Sequence, residues 1–563
     1  MQLSTSKPNM SNLRQRFTGS RGRKFREIIS AYLFIAPATI LIFIFGIFPV
    51  GFALFVSLHK WRLKRTGFIG LTNYVKAVDN LAYLALLVIG FGALVGVYLL
   101  IKGVTRQAVE RQENPWPLLF PGALHAAAIV AFIRWIFLQM PEVLDIADKI
   151  KGVEKTQALF IQLLGEAFRA ETVKPAWNLF LILLLAAWAI SILALRFWRI
   201  RESSTYQAKL SLCWLGLVVG FGLLWITYSQ ISEIYAEALE TGTDPGIISQ
   251  IVTIASGVIL LILAWKVWGS AAKQDTLRGF FVRILATMVL LVGGWLLIGE
   301  IPMVIAAGDK DIWKGLKVTI FFSMGTVPFQ LAIALFLSVL LFQRLAGSNI
   351  FRIIYFLPYV TPAIASAAVF RQIFSTRESA PVNMLLKTFG LEPQMWLNEP
   401  EGVFAMLAHT LNVPLPDWAA GPSLALCVII LHSIWTYVGY DTVIYMAGLG
   451  NIPTELIDAA EVDGANKWHV FQHIIFPLLS PTTYFLSLIA IIGTFKAFNT
   501  IWMFRFNTLS LGTTDTFSVV IFLEFFDKLR YGYASALAFV LFAIILSLTF
   551  INNKVQGSRV FYG

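Results

Sequence analysis

Long apolar runs alternate with short polar segments along the whole 563-residue chain. Most of these runs reach the ~20 apolar residues that a helix needs to cross the hydrocarbon core of a bilayer. The pattern therefore predicts an all-α polytopic membrane protein with about twelve transmembrane helices. The predicted spans cover approximately residues 31–58, 81–101, 117–138, 176–195, 209–229, 247–265, 284–300, 315–342, 353–374, 422–447, 482–504 and 532–551.

Basic residues in the polar segments set the orientation of these spans, because cytoplasmic loops carry an excess of Lys and Arg. Arg106 and Arg111 mark the segment after the second span as cytoplasmic, whereas the acidic segment around Glu233 and Glu237 is predicted to lie outside. The alternation holds along the chain and places both termini in the cytoplasm. The basic segment 1–30 precedes an apolar run that is too long for a signal peptide, so this run is predicted to be a retained first span.

Residues 450–480 form a polar island between two apolar runs, and the same alternation places this island in the cytoplasm. Pro453 suits the first turn of a helix, Gly464 is predicted to end that helix, and a second helix is predicted to end at Pro477. Two short helices with a glycine hinge and small side chains form a surface that another protein can approach closely. The residues expected to contact that protein are Glu455, Asp458, Ala459, Ala460, Asp463, Gly464, Ala465 and Pro477. A cap on the Gly464 turn is an equal alternative role for Asp463.

Composition supports the membrane class and argues against other kinds of function. Hydrophobic residues make up 57% and charged residues 13% of the chain, whereas soluble domains have about 45–50% and 25%. Basic cytoplasmic loops account for the net charge of +12, so nucleic acid is not an expected partner. Cys213 and Cys427 lie in apolar runs, which argues against disulfides and thiolate metal sites. His469 and His473 have helical spacing but no third ligand, and no metal site is predicted.

The polar island resembles the "EAA" loop of ATP-binding-cassette (ABC) importer permeases. It contains D-A-A-x-x-D-G-A from Asp458, followed by P-L-L-x-P from Pro477. The resemblance implies that the island is the cytoplasmic coupling loop, which sits in a groove of a separate ATPase subunit. Asp458 stands where the family usually has Glu. The resemblance therefore implies a salt bridge to the ATPase from a side chain one methylene shorter.

Further motifs resemble sugar-type permeases, with the F subunit of maltose permease as the nearest type. These motifs lie at 31–37, 68–74, 351–362, 434–440 and 532–536. They imply a permease core of about six spans, formed by residues 31–79 and 311–563. Residues 80–310 are then an insertion with about six further spans, an even number that keeps the polar island cytoplasmic. The insertion is interpreted as a lipid-facing scaffold or as a site for a further subunit or regulator.

Charged and aromatic side chains inside the predicted core spans are candidates for the solute path, because charges within a bilayer are costly. Lys496 and Asn499 are three residues apart and share one face if their span is a continuous helix. Trp435, Tyr437 and Tyr440 are suited to stacking on sugar rings. The resemblance adds that polar residues near Lys496 line the transport path. The alternatives are that Lys496 reaches the membrane surface and that the aromatic residues only pack or anchor the helix.

These observations predict the permease subunit of an ABC importer that takes up a carbohydrate by alternating access. The chain has no G-x-x-x-x-G-K-[ST] phosphate loop, so it is expected to be a transport subunit and not an enzyme. No cofactor is expected on this chain, and ATP and magnesium are expected on a partner ABC ATPase dimer. The resemblance implies two further partners, a second permease subunit and an extracytoplasmic solute-binding protein, in a bacterial inner membrane.

The sequence leaves other functions open. A self-powered secondary transporter of about twelve spans is one alternative, although it leaves the polar island unexplained. A sugar-phosphate importer and a non-transporting scaffold or sensor are two others. Within the carbohydrate class, maltose-like oligosaccharides, trehalose and other glucosides all fit the residues.

Overall fold

The computed structural model of the chain describes residues 20–62, 64–198, 203–242, 245–271, 277–298, 308–342, 347–415, 419–505 and 512–555. Internal contacts divide the chain into two compact units. The core unit comprises Met1–Ala77 with Asp309–Gly563, and the inserted unit comprises Val78–Gly308. The bounds of the predicted insertion, 80–310, lie close to those of the inserted unit. The basic segment 1–30 is described only from residue 20 onward.

Almost all of the described secondary structure is helical. In chain order the α-helices are α1 (Ser20–Ile42), α2 (Phe48–Ser57), α3 (Thr72–Val78), α4 (Leu81–Arg111), α5 (Leu119–Lys149), α6 (Gln157–Arg169), α7 (Val173–Phe197), α8 (Ser203–Thr241), α9 (Ile247–Ala271), α10 (Leu277–Ile298), α11 (Lys310–Phe342), α12 (Ser348–Val360), α13 (Ala363–Ile373), α14 (Pro381–Thr388), α15 (Val403–Thr410), α16 (Leu424–Gly450), α17 (Thr454–Val462), α18 (Lys467–Val470), α19 (Phe476–Leu478), α20 (Ser480–Phe495), α21 (Asn499–Arg505), α22 (Phe517–Phe526) and α23 (Tyr531–Val555). Two strands, β1 (His59–Trp61) and β2 (Arg65–Phe68), form an antiparallel hairpin.

Ten of the described helical segments are long and apolar enough to cross a membrane, and up to 12 if each of two bent helix pairs counts as one span. The predicted all-α polytopic fold class is therefore confirmed. The predicted spans 353–374 and 482–504 differ in form, because neither is one continuous helix. The first consists of α12 and α13, which meet at 95°. The second is interrupted between α20 and α21.

The bend between α12 and α13 lies at Thr361–Pro362. Proline has no N–H to donate, and its ring disfavours helical backbone in the residue before it. Thr361 accordingly has ψ 136°, outside the helical region. Its hydroxyl donates to the carbonyl oxygen of Leu357 at 2.8 Å, which satisfies one acceptor at the end of α12.

The interruption after α20 is stabilised by hydroxyl groups from the segment before and at the start of α22. The Phe495 carbonyl accepts from Ser518 Oγ at 3.1 Å, and the Ala497 carbonyl accepts from Thr516 Oγ1 at 3.0 Å. Irregular backbone at membrane depth requires such partners, since lipid supplies none. Lys496 is the residue that ends α20. The expectation that it shares a helical face with Asn499 is therefore wrong.

Two of the quoted motifs, 68–74 and 532–536, meet at the β-hairpin of the core unit. Asn73 Nδ2 donates to the carbonyl oxygens of Ser57 at 2.8 Å and of His59 at 3.2 Å. A Cβ added at Gly532 would lie 2.2 Å from the same His59 oxygen. Only glycine allows the start of α23 to approach the hairpin this closely. These contacts hold the hairpin at the end of α2 against the start of α23.

α16 lies at the centre of the core unit and packs against α11, α12, α20 and α21. Its closest approach is at Gly439, where an added Cβ would lie 1.8 Å from the Tyr355 carbonyl oxygen of α12. A buried apolar cluster that includes Phe322, Ile429 and Phe504 joins α11, α16 and α21. The centre of this unit is thus closely packed around α16.

The inserted unit consists mainly of long helices, among which α5 packs on both α7 and α8. α4 packs on α8 and α9 packs on α10. Glycines allow α4 and α8 to approach closely, since a Cβ at Gly220 would lie 2.7 Å from Leu94 Cδ2. Polar contacts join other helices, as where Gln207 Nε2 of α8 donates to Ser191 Oγ of α7 at 2.6 Å.

Candidate functional site

The polar island folds into the two helical segments and the glycine hinge that the sequence predicts. α17 follows Pro453 and ends at Val462, and Gly464 has φ +84°. This left-handed conformation is costly for a residue with a Cβ, so glycine suits the hinge. Asn466 then caps the second segment, because its Oδ1 accepts from the His469 backbone N–H at 2.9 Å.

An apolar cluster fixes the polar island to the membrane helices. Its buried members come from α11, α16, α20 and the ends of the island, and they are Ala334, Tyr445, Leu449, Ile452, Leu479 and Leu486. Ile457 of α17 packs against the same cluster, as do Ile475 and Leu478. The cluster therefore connects α17 to the membrane-spanning helices α11, α16 and α20.

The predicted partner-binding residues lie mainly at the surface of the island. Five of them are exposed, namely Glu455, Asp458, Ala459, Asp463 and Gly464, and three are partly buried, namely Ala460, Ala465 and Pro477. Within the described part of the chain, neither Glu455 nor Asp458 forms an ion pair. Both carboxylates are therefore available to a cationic group of a partner.

Four large apolar residues that are exposed on the island were missed by the sequence reasoning, namely Leu456, Val462, Trp468 and Phe476. Val462 has 88% and Trp468 has 64% of its surface exposed. Exposed aromatic residues such as Trp468 often anchor protein interfaces. The apolar type of the four residues is visible in the sequence, but apolar residues of the same segment that pack inward, such as Ile457 and Ile475, cannot be told from them there.

His469 and His473 stack with ring centroids 6.0 Å apart. His469 Nδ1 lies 2.8 Å from Asn466 Oδ1, and His473 Nδ1 lies 3.2 Å from the His469 carbonyl oxygen. Within the described residues no group of three or more His, Cys, Asp or Glu side chains is placed to hold a metal ion. Their contacts thus stabilise the second helical segment of the island.

A second candidate site is a cavity of about 330 Å³ in the core unit, here called the tyrosine cavity. It is lined by α11, α12, α16, α20, the interruption after α20 and the start of α21. The lining residues are Phe322, Gln330, Tyr359, Ser433, Tyr437, Tyr440, Asp441, Ile489, Ala490, Gly493, Thr494, Lys496, Ala497, Phe498, Asn499 and Thr500. Four of the five predicted path residues lie here: Lys496, Asn499, Tyr437 and Tyr440.

Trp435, the fifth predicted path residue, lies on another side of α16. Two residues along a helix turn a side chain by about 200°, so Trp435 points away from the side occupied by Tyr437. Its ring lies 5.4 Å from that of Phe370. It lines a separate, apolar cavity of about 390 Å³ with Phe370 and Val369. This position favours the alternative in which Trp435 packs and takes no part in the path.

Three tyrosines contribute aromatic surface to the tyrosine cavity. Tyr359 of α12 stacks on Tyr440, with ring centroids 4.7 Å apart, and makes an edge contact with Tyr437 at 5.9 Å. Tyr359 was missed because it lies on a different helix from the other two. Aromatic faces suit the apolar faces of sugar rings, while phenol groups can bind hydroxyls.

Asp441 and Gln330 also line the tyrosine cavity and were missed by the sequence reasoning. Their exposed fractions are 4% and 5%, and Gln330 Nε2 donates to Asp441 Oδ2 at 2.5 Å. The signal for Asp441 was a carboxylate inside an apolar span, which is costly and so points to function. Lys496 is exposed, and within the described residues its ammonium has no recorded hydrogen bond or ion pair.

A larger cavity of about 670 Å³ in the core unit is lined in part by ion pairs. Arg505 Nε lies 3.0 Å from Asp515 Oδ1, and Lys528 Nζ lies 2.7 Å from Glu524 Oε1. The hydrogen bond to Glu524 raises the pKa of the Lys528 ammonium above its usual range. These pairs join α21 and α22 to the segments that follow them, which is a structural role.

Residues 330–557 match the model of a protein family described as "Binding-protein-dependent transport system inner membrane component". The matched range lies in the core unit and contains the whole polar island. It also contains every residue that lines the tyrosine cavity apart from Phe322.

Three curated relatives align with this chain over 248 to 257 residues. The chain is 31% identical to the probable ABC transporter permease protein YesP of Bacillus subtilis, over 45% of this chain and 75% of the relative. It is 30% identical to the arabinooligosaccharides transport system permease protein AraP of the same organism, over 44% and 71%. It is 26% identical to the trehalose/maltose transport system permease protein MalF of Thermococcus litoralis, over 44% and 76%.

Proposed function

Because the chain belongs to the family of binding-protein-dependent transport system inner membrane components, we propose that it is the permease subunit of an ABC importer for a carbohydrate. The observation that carries this proposal is the polar island. It presents two carboxylates without a recorded ion pair, Glu455 and Asp458, beside the glycine hinge at Gly464. This surface is suited to a cationic groove on a separate protein. The protein proposed to provide that groove is an ABC ATPase dimer.

The proposed mechanism is alternating access. Closure of the ATPases around ATP and magnesium displaces α17, which shares its apolar cluster with α11, α16 and α20. Those helices also line the tyrosine cavity. Displacement of the island therefore changes the side from which the cavity is open. No cofactor is proposed on this chain itself.

The tyrosine cavity is the proposed solute path. Its aromatic wall of Tyr359, Tyr437 and Tyr440 supports a carbohydrate, because these rings combine an apolar face with a polar edge. The names of two relatives, for arabinooligosaccharides and for trehalose/maltose, support the same class. A sugar phosphate is the remaining alternative within this mechanism.

The proposal includes three features of the assembly. The polar island and both termini lie in the cytoplasm, as the excess of basic residues in alternate loops favours. A second permease subunit binds the second ATPase, since one island occupies one groove. An extracytoplasmic solute-binding protein delivers the carbohydrate. The inserted unit is proposed to be a scaffold in the bilayer.

Affinity purification of the chain from its native membrane in a mild detergent tests the assembly, with the co-purifying proteins identified by mass spectrometry. A P-loop ATPase and a second permease should be recovered in amounts comparable to the chain. Recovery of the chain alone, where a known importer stays intact, would favour a self-powered secondary transporter. In that case the polar island would have no ATPase to contact.

A further inference from the structure

We infer that Asp441 is a specificity-determining residue that balances the charge of Lys496 and restricts the tyrosine cavity to uncharged saccharides. The inference rests on the proposed function, and it chooses between the sugar and the sugar phosphate that this function leaves open. It concerns the charge of the solute and not the identity of its rings.

The charges of the tyrosine cavity carry the inference. Among its sixteen lining residues Asp441 is the only one of acidic type and Lys496 the only one of basic type. The two charges are opposite, so the lining as a whole is neutral. Lys496 alone would attract a phosphate or a carboxylate, and the carboxylate of Asp441 removes that preference.

The position of Asp441 makes its charge effective. The residue is 4% exposed in the middle of α16, and Gln330 of α11 holds its Oδ2 by a hydrogen bond. A charge in such surroundings is screened far less than one in water, so its repulsion of an anion is strong. A phosphate group carries a charge of about −1.5 to −2 at neutral pH. A phosphorylated sugar is therefore repelled by the buried carboxylate of Asp441, which opposes the attraction of the exposed Lys496 ammonium.

A neutral saccharide meets no such conflict. An ionised carboxylate accepts hydrogen bonds only, and an ammonium donates only. Sugar hydroxyls both donate and accept, so they can satisfy Asp441 and Lys496 at once. Gln330 and Asn499 add amide groups that can do either, and the tyrosines cover the apolar face of the ring.

The test measures direct binding of paired probes to the purified complex of this chain with its second permease and ATPases, without the binding protein. The pairs are trehalose with trehalose 6-phosphate and maltose with maltose 6′-phosphate, titrated by calorimetry. The wild-type complex should bind the neutral member at least tenfold more tightly. Asp441→Asn should shift the affinity ratio at least tenfold toward the phosphorylated member, and Lys496→Met should shift it in the opposite direction.

The Lys496 variant keeps the test decisive if Asp441→Asn fails to assemble, because Lys496 is exposed in the helix interruption. The inference would be overturned if neutral sugars bind and the ratio of neutral to phosphorylated affinity is the same in the wild type and in both variants. That result would leave the proposed function intact. Preference of the wild-type complex for the phosphorylated probes would also overturn it. Failure of an assembled wild-type complex to bind any of the four probes would count against the carbohydrate proposal, and the inference would fall with it.

Discussion

In the core unit, helices bend by 95° and 62° at two breaks, whereas in the inserted unit α4 and α5 run for 31 residues each and α8 for 39 residues. Burial differs in the same way. Among the described residues, the fully buried carboxylates are Asp441, Asp515 and Glu524, and all three lie in the core unit. The buried polar residues of the inserted unit are the uncharged Gln139, Ser191, Thr227 and Thr287.

The difference shows that the structural features with a high free-energy cost in a membrane lie in the core unit. Broken helices and buried charges both raise the free energy of a membrane-embedded chain and are retained where they line a cavity or a path. Long helices packed through glycine carry no such cost. The comparison therefore agrees with the transport path proposed for the core unit and with the scaffold proposed for the inserted unit.

The largest effect is expected from Gly439→Ala in the core unit. The added methyl group would lie 1.8 Å from the Tyr355 carbonyl oxygen, which belongs to backbone and cannot rotate away. Overpacking of this kind typically costs about 1–3 kcal/mol and sometimes more. The yield of monodisperse protein in fluorescence-detected size-exclusion chromatography should fall severely.

Gly450→Ala is the matched control, because it makes the same change in the same helix at a position where an added Cβ has no neighbour within 4 Å outside its own stretch of helix. Its yield should equal that of the wild type. Equal, high yields for both variants would mean that α12 and α16 are not packed as described.

The next largest effect is expected from Gly464→Val, which should impair coupling to the ATPase without impairing folding. Nothing lies within 4 Å of a Cβ at this hinge, so crowding is not the cause. The left-handed backbone itself costs about 1–2 kcal/mol for a residue with a Cβ. Solute-stimulated ATP hydrolysis by the reconstituted transporter should fall about tenfold or more. Gly464→Asn, which tolerates this conformation, should retain most of it, and equal activity in both variants would remove the hinge from the mechanism.

Lys496→Met should reduce the initial rate of carbohydrate uptake by about tenfold. The reason is that a hydrogen bond from a charged group to the solute contributes about 1.5–3 kcal/mol. Lys496→Arg should lose less, because it keeps the charge. Assembly with the ATPase, measured by co-purification, should be unchanged in both variants. Uptake at the wild-type rate with the same range of solutes would exclude Lys496 from the path.

The smallest effect on transport is expected in the inserted unit. Gly220→Val would place side-chain atoms against Leu94, where even a Cβ lies only 2.7 Å away. It should cost about 1–3 kcal/mol of stability and lower the thermal unfolding temperature. Uptake per assembled complex should be unchanged. Gly222→Val, a neighbouring site with open space around it, should change neither quantity, and a selective loss of transport in Gly220→Val would contradict the scaffold role.

The sequence predicts most of the fold because each span is a local property of about twenty apolar residues. The hinge at Gly464 is equally local, since one residue type meets one backbone requirement. The interruption at Lys496 was not predicted, because the hydroxyls that support it come from Thr516 and Ser518, which are distant in sequence. The partner of Asp441 is likewise distant, at Gln330.

The composition of the candidate path was predictable in part. Ser433, Tyr437, Tyr440 and Asp441 follow helical spacing and line one cavity, so the rotation of the helix alone would have separated them from Trp435. The choice of Trp435 followed residue type and ignored that rotation. Tyr359 required knowledge of which helix lies beside α16, and a single sequence does not contain this.

ATP-driven uptake in proteoliposomes tests the central claim most directly. The purified chain, its second permease and its ATPases are reconstituted with the binding protein, and labelled carbohydrate is followed with ATP and magnesium on the ATPase side. The account predicts accumulation that requires ATP and does not depend on a proton or sodium gradient. Uptake driven by an ion gradient in vesicles that contain this chain alone would contradict it.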